Sequence, residues 1–224
     1  MIRLDDVGHA YGDRTVLRDV SLRLTEARVG VIGANGSGKS TFARLLNGLV
    51  VPTTGRVTVD GLDTRTKGRE IRRRVGFCFT NPDAQIVLPT VAEDVAFSLR
   101  RSGLSRAEIA AKVTDTLRRF DLSDFADASA HLLSGGQKQL LALAAILIME
   151  PSILVCDEPT TLLDLRNASM VSELLASLPQ RVVLVTHHLH LLDGFDRVLV
   201  FDQGRVVCDA APSTAIDHYR RLMR

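Results

Sequence analysis

One lysine and one hydroxyl stand at the end of a glycine-rich run. Residues Gly33 to Ser40 read GANGSGKS and meet the spacing GxxxxGK[ST] at every fixed position. Glycines at this spacing let successive backbone N–H groups point inward at phosphate oxygens, and the helix that follows adds the positive end of its dipole. The lead-in RVGVI has a strand pattern and the lead-out TFARLLNGL an amphipathic helix pattern. That context separates the motif from a chance glycine turn. Gly33, Ala34, Asn35, Gly36, Ser37, Gly38, Lys39, Ser40 and Thr41 are therefore expected to cradle phosphates. Lys39 would bridge the β- and γ-phosphates, and the Ser40 hydroxyl would hold Mg²⁺.

Turning over a triphosphate also needs a carboxylate for the metal and a group that activates water. The segment ILVCDEP brings four apolar residues and then Asp157 and Glu158, at the carboxyl end of a buried strand, where ligands of open α/β sheets bind. Asp157 is assigned to the Mg²⁺ shell and Glu158 to the general base. A third element, LSGGQKQ from Leu133 to Gln139, starts an apolar helix. Ser134 can cap it, and Gly135 and Gly136 leave its first N–H groups uncovered, which makes a second anion-receptive helix end.

The remaining sequence must position these groups. Its 224 residues, 46% apolar, suffice for one domain with an embedded subdomain. The formal charge of +2 lacks the basic footprint of a nucleic-acid binder, and the triplet Arg72 to Arg74 reads as a solvated helix face. The longest apolar run, Leu140 to Met149, is about half a membrane span. The N-terminus has no signal-peptide pattern, so a cytosolic chain is expected. Cys78, Cys156 and Cys208 are odd in number and far apart, which disfavours disulfides and a cysteine-built zinc site; Cys78 and Cys156 read as small core residues.

Ile2 to Val7 and Val20 to Leu24 suggest an N-terminal antiparallel sheet. Apolar runs at Val29–Ile32, Val75–Phe79, Ile153–Cys156, Val182–Val185 and Val198–Phe201 suit parallel strands covered on both faces. Between Val91 and Met149 the period becomes helical. Ser105 and Glu108 form a capping box, followed by Ile109, Val113, Leu117 and Phe120 at helical spacing. The prediction is an α/β fold over 1–224 with an inserted helical subdomain at 88–150 and a closing helix at 212–224.

With the phosphate loop, the Asp157 strand and the SGG turn in this order, almost the whole chain resembles the ATPases of ABC transporters. The resemblance implies a P-loop NTPase with a RecA-like parallel-sheet core, an N-terminal antiparallel β subdomain and an inserted α-helical subdomain. It implies ATP and Mg²⁺ as ligands. It also implies a second ATPase subunit, a copy or close paralogue, whose turn Ser134, Gly135, Gly136 and Gln137 completes the facing site head to tail. Tyr11 matches the aromatic that stacks on adenine. His187 matches the histidine at the γ-phosphate, and TLLD, ending at Asp164, matches the loop that touches the opposite subunit, with Thr161 and Leu162 where Ser and Ala are usual. HHLH invites a metal reading, disfavoured because adjacent side chains on a helix point apart.

Thr80 occupies the place where this family has a glutamine that reaches Mg²⁺. Its short hydroxyl needs a closer loop or a bridging water. NPDAQ and TVAEDVAFSL resemble the energy-coupling-factor branch, whose ATPases drive uptake of vitamins and of cobalt or nickel ions, and the length is most similar to its biotin-type ATPase. The implied partners are an integral-membrane coupling subunit and a substrate-binding membrane subunit, with the chain peripheral at the cytoplasmic face of the cell membrane. Gln85 can be read as a surface residue, a partner contact or a remote substitute for the missing amide, with partner contact favoured. Two rivals remain: a soluble ABC ATPase of cluster assembly, and a nucleotide-binding regulator with weak hydrolysis. A GTPase is disfavoured because no NKxD-like motif occurs.

Overall fold

Alternation builds the first sheet. In the computed structural model, which describes residues 1–224, β1 (Ile2–Tyr11) and β2 (Arg14–Leu24) pair antiparallel, Ile2 opposite Leu24 and Tyr11 opposite Arg14. The connection is tight because Gly12 takes a positive φ of 57°. β4 (Thr54–Val59) pairs with the other edge of β1 and β5 (Leu62–Asp63) follows it, giving the order β2-β1-β4-β5. Ile2, Leu4, Val7, Leu17, Val20, Leu22, Leu24, Val57 and Val59 are its buried apolar residues, the inward half of a period of two interrupted by bulges in β1.

The second sheet holds β3 (Arg28–Gly33), β6 (Val75–Cys78), β7 (Ile153–Asp157), β8 (Arg181–Val185), β9 (Arg197–Asp202) and β10 (Arg205–Ala210), ordered β10-β9-β3-β8-β7-β6. β3 runs parallel to both β8 and β9, and β7 parallel to β8; only β10 closes the far edge by an antiparallel turn. β7 is buried at all five positions, as expected of a strand with both faces covered. Helix α1 (Lys39–Leu46) packs on this sheet and sets Phe42 4.9 Å from Phe201, ring centre to ring centre. Helix α7 (Pro212–Leu222) packs on β9, β10 and β3 of the same sheet, and α2 (Thr64–Arg74) packs on β4 and β5 of the first sheet.

The chain divides into two compact units. One joins Met1–Phe77, Ser152–Glu158 and Pro179–Arg224; the other joins Cys78–Pro151 and Pro159–Leu178. The second contains α3 (Val91–Phe97), α4 (Arg106–Arg119), α5 (Gly135–Leu147) and α6 (Leu165–Ser177). The helical unit therefore starts before residue 88 and takes in α6, which packs on α5. Caps fix its helix starts. Ser105 Oγ accepts the Glu108 amide while the Glu108 carboxylate accepts the Ser105 amide at 2.7 Å, and Thr90 and Glu93 repeat the pattern on α3. No helix is long and apolar enough to cross a membrane.

Candidate active site

The carboxyl ends of β3, β7 and β8 supply the reactive groups of the first unit. β3 ends at Gly33, whose added Cβ would lie 2.2 Å from the Phe201 carbonyl oxygen, so only glycine lets the chain leave the sheet here. Gly36 and Gly38 follow with positive φ of 78° and 103°, and the loop turns into α1 at Lys39. Asn35, Gly36, Gly38, Lys39, Ser40 and Thr41 line a cleft of about 400 Å³ together with Tyr11, Arg14, Val16 and Glu158. Gly33, Ala34 and Ser37 form the back of the loop. The carbonyls of Gly33 and Ala34 accept from Lys39 Nζ at 2.7 and 2.9 Å, and Ser37 donates its amide to Ala34 at 3.2 Å.

Lys39 is buried. Desolvation pulls its pKa below the usual lysine value, opposed by the charges of Glu158 and Asp157. Those carboxylates set the site's other electrostatic feature. Asp157 is 2% exposed and burial pushes its pKa up, while the Ser40 hydroxyl and the charge of Arg44 pull it down. Ser40 donates its hydroxyl to Asp157 Oδ1 at 2.9 Å. A hydroxyl and a carboxylate in contact, both hard oxygen donors, fit the needs of Mg²⁺, which takes few protein ligands and keeps several waters.

Glu158 follows with a positive φ of 55°, a conformation that costs a non-glycine residue about 1–3 kcal/mol and is characteristic of functional positions. Its amide donates to the Val185 carbonyl at 2.9 Å. Its Oε2 lies 2.7 Å from His187 Nδ1 and accepts the His187 amide at 3.3 Å. β7 and β8 are adjacent parallel strands, so the two residues meet because both strands end at the same level.

His187 and His188 do not diverge as residues on a helix would. They precede the 3-10 turn Leu189–Leu192, and their ring centroids lie 4.0 Å apart. Burial, and then the charges of His187 and His190, hold the His188 pKa below the usual histidine range.

The turn Ser134–Gln137 and the loop containing Thr80 belong to the second unit. Ser134 Oγ accepts the Gln137 amide at 3.3 Å, and Gln137 Oε1 accepts the Ser134 amide at 2.9 Å, a reciprocal cap on α5. A Cβ on Gly135 would meet only the Leu162 carbonyl oxygen, at 3.9 Å, so this helix end presents bare backbone. Gly136 packs against Asn167, 2.3 Å from where its Cβ would stand, which brings the TLLD segment beside the turn. Asp164 caps α6 through the Asn167 amide at 2.8 Å.

Gln85 is hydrogen-bonded within its own unit. Its Oε1 accepts the Phe79 amide at 3.3 Å and its Nε2 donates to the Ala142 carbonyl at 3.2 Å, so it ties its own loop to α5. Lys138 adds an ion pair to Asp83 at 2.8 Å. Thr80, half-buried at the head of this loop, is thus in a braced segment. Arg14 and Val16 escaped the motif search, although Arg14 is the cross-strand neighbour of Tyr11 and that register places both beside the phosphate loop.

The ABC transporter family model matches residues 17–161. The chain belongs to this family. It is 48% identical to the biotin transport ATP-binding protein BioM of Rhizobium etli, over 99% of this chain and 98% of that one. It is 43% identical to the energy-coupling factor transporter ATP-binding protein EcfA1 of Symbiobacterium thermophilum, covering 93% of this chain and 78% of that protein. Among solved structures, the ATP-binding cassette MJ0796, a dimer in a post-hydrolysis state bound to ADP and Pi, superposes with a TM-score of 0.84 at 30% identity, over 95% of this chain and 99% of that one. This ABC ATPase is an ATPase subunit of the energy-coupling-factor type.

Proposed function

We propose that this ABC ATPase hydrolyses ATP to energise vitamin uptake, with biotin as the favoured solute, through separate membrane subunits. In each site the loop Gly33–Thr41 holds the phosphates, Tyr11 stacks on adenine, and Ser134, Gly135, Gly136 and Gln137 of a facing copy or paralogue close over the γ-phosphate. Leu132, Leu162 and Leu165 are 85%, 62% and 91% exposed around that turn, apolar surface that a facing subunit would cover. The full assembly adds a coupling subunit and a solute-binding subunit in the membrane, with this chain at its cytoplasmic face.

The chemistry is an in-line displacement. A water oxygen attacks the γ-phosphorus, the bond to the β-phosphate oxygen breaks, and ADP and phosphate leave. Glu158 takes the proton from that water, and His187 holds the Glu158 carboxylate through Nδ1 while reaching the γ-phosphate. Lys39 leaves the loop carbonyls for the β- and γ-phosphate oxygens. Ser40 and Asp157 would hold Mg²⁺; when bound, the ion neutralises charge on the phosphates.

The observation that carries the reading is the 2.7 Å contact of Glu158 with His187 at a strand end beside the phosphate loop. The biotin preference rests on the likeness to BioM over nearly the whole chain. Purifying the native assembly and reconstituting it in proteoliposomes tests both. ATP-dependent accumulation of labelled biotin, lost with Glu158→Gln, is the expected result. Accumulation of cobalt or nickel ions but not biotin would overturn the solute, and equal phosphate release by wild type and Glu158→Gln would overturn the hydrolase mechanism.

A further inference from the structure

The inward face of β1 carries Ile2, Leu4 and Val7 and then, where another aliphatic residue would fill the same space, His9. His9 is 8% exposed, and its Nε2 is buried without a hydrogen-bond partner. A buried imidazole nitrogen left unpaired is a local disadvantage that leucine or phenylalanine would avoid. Such departures from local preference concentrate where function demands them.

His9 touches the cleft through Tyr11. The two residues are i and i+2 on one strand and share a face. Their rings meet edge to face, centroids 4.6 Å apart and planes at 81°, a favoured aromatic geometry. Thr53 fixes the other side of the imidazole: its Oγ1 lies 3.5 Å from His9 Nδ1 and accepts the Ala10 amide at 3.0 Å, and its own amide donates to the Gly8 carbonyl at 2.9 Å. The last residues of β1 are thereby clamped, and Tyr11, 48% exposed, projects into the cleft beside Val16 and Gly36.

We infer that His9 is a positioning residue for nucleotide-base binding: its ring, held by Thr53 and set edge to face with Tyr11, fixes the plane of the Tyr11 ring in the orientation that receives the base. The inference rests on Tyr11 being the base-stacking residue. An aliphatic side chain at position 9 would fill the volume but leave the Tyr11 ring free to tilt, so base recognition would weaken while phosphate recognition stayed the same.

The test measures binding of ATP and of inorganic tripolyphosphate, which has no base, by calorimetry on the full-length protein. Five forms are compared: wild type, His9→Leu, His9→Phe, Tyr11→Ala and the double variant His9→Leu/Tyr11→Ala, with thermal unfolding as a check on the fold. His9→Leu is expected to weaken ATP binding about three- to tenfold, roughly 0.7–1.4 kcal/mol, with tripolyphosphate unchanged. His9→Phe, which keeps a ring edge, should restore ATP binding to within about twofold, and His9→Leu should add nothing in a Tyr11→Ala background. If Tyr11→Ala weakens ATP binding but His9→Leu does not, His9 has no positioning role. Parallel loss of tripolyphosphate binding would reduce His9 to a structural residue and overturn the inference. Unchanged ATP binding in Tyr11→Ala would instead remove the base-stacking role of Tyr11, and the inference with it.

Discussion

His187 grips Glu158 twice: Nδ1 stands 2.7 Å from Oε2, and the His187 amide donates to the same oxygen at 3.3 Å. One oxygen of the carboxylate is thereby held in place, so the group we propose as general base is oriented before substrate arrives. Removing a base typically costs about 10²–10⁴ in rate. Glu158→Gln should lose turnover in that range and still bind ATP, and His187→Ala should lose about ten- to a hundredfold, with the two changes less than additive in the double variant. Single-turnover phosphate release checks this, and full additivity would show that the residues act separately.

Asp157 trades stability for ligand binding. Its folded pKa is raised above 3.8, chiefly by burial, so in the window just above 3.8 the native state keeps a proton that the unfolded chain has released. Stability of the ligand-free protein then falls as pH rises through this window and levels off above the folded pKa. Asp157→Asn should flatten that slope and raise the melting temperature without ligand near neutral pH, while losing the stabilisation given by MgATP. In the wild type, MgATP binding should weaken on acidification at a higher pH than for an ordinary aspartate. Scanning calorimetry from about pH 3.5 to pH 8, with and without MgATP, reads both effects.

Two glycines of the phosphate loop should fail differently. A Cβ on Gly33 would sit 2.2 Å from the backbone oxygen of Phe201 in the neighbouring strand, whereas a Cβ on Gly36 meets nothing within 4 Å. Gly33→Ala should cost about 3 kcal/mol or more and impair folding. Gly36→Ala should cost only the ~1–2 kcal/mol of a left-handed alanine and still weaken ATP binding. Denaturant melts beside nucleotide titrations separate the two.

The loop after β6 gives a third contrast. Thr80→Gln should leave folding intact and change the ATPase rate by less than about tenfold, roughly 1.4 kcal/mol in barrier. A loss of several hundredfold would show a role for Thr80 that a longer side chain cannot fill. Gln85→Leu removes the brace from Phe79 to Ala142 and should lower the coupling ratio of solute moved per ATP more than the ATPase rate itself.

Much of this was legible because phosphate chemistry constrains backbone and spacing together: GANGSGKS between a strand and a helix, and DEP after four apolar residues, leave few other readings. The long apolar runs likewise marked β3, β7, β8 and β9. β10 escaped because it is an edge strand alternating between exposed and half-buried residues, with no buried face to give a strong pattern. Of α2 only the arginine triplet at its end was legible as a helix face, because only Thr64 and Ile71 are buried in it and the rest is mostly polar and charged. The internal bonds of Gln85 to Phe79 and Ala142 were not legible, because nothing in a short polar loop marks which glutamine will bridge an amide to a carbonyl on another element. Arg14, Val16 and His9 reach or support the cleft through strand register and sheet face, which no short motif encodes.

The most direct test joins the two anion cradles across subunits. Asn35→Cys and Ser134→Cys are placed in separately tagged copies, in a Glu158→Gln, Cys208→Ser background, mixed, and oxidised with and without MgATP. A disulfide requires Cα atoms within about 7 Å, so a covalent heterodimer formed with MgATP and absent without it is the expected result. If residues 35 and 134 never link between copies, or between this chain and its paralogue in the native assembly, the sandwiched-nucleotide account is contradicted.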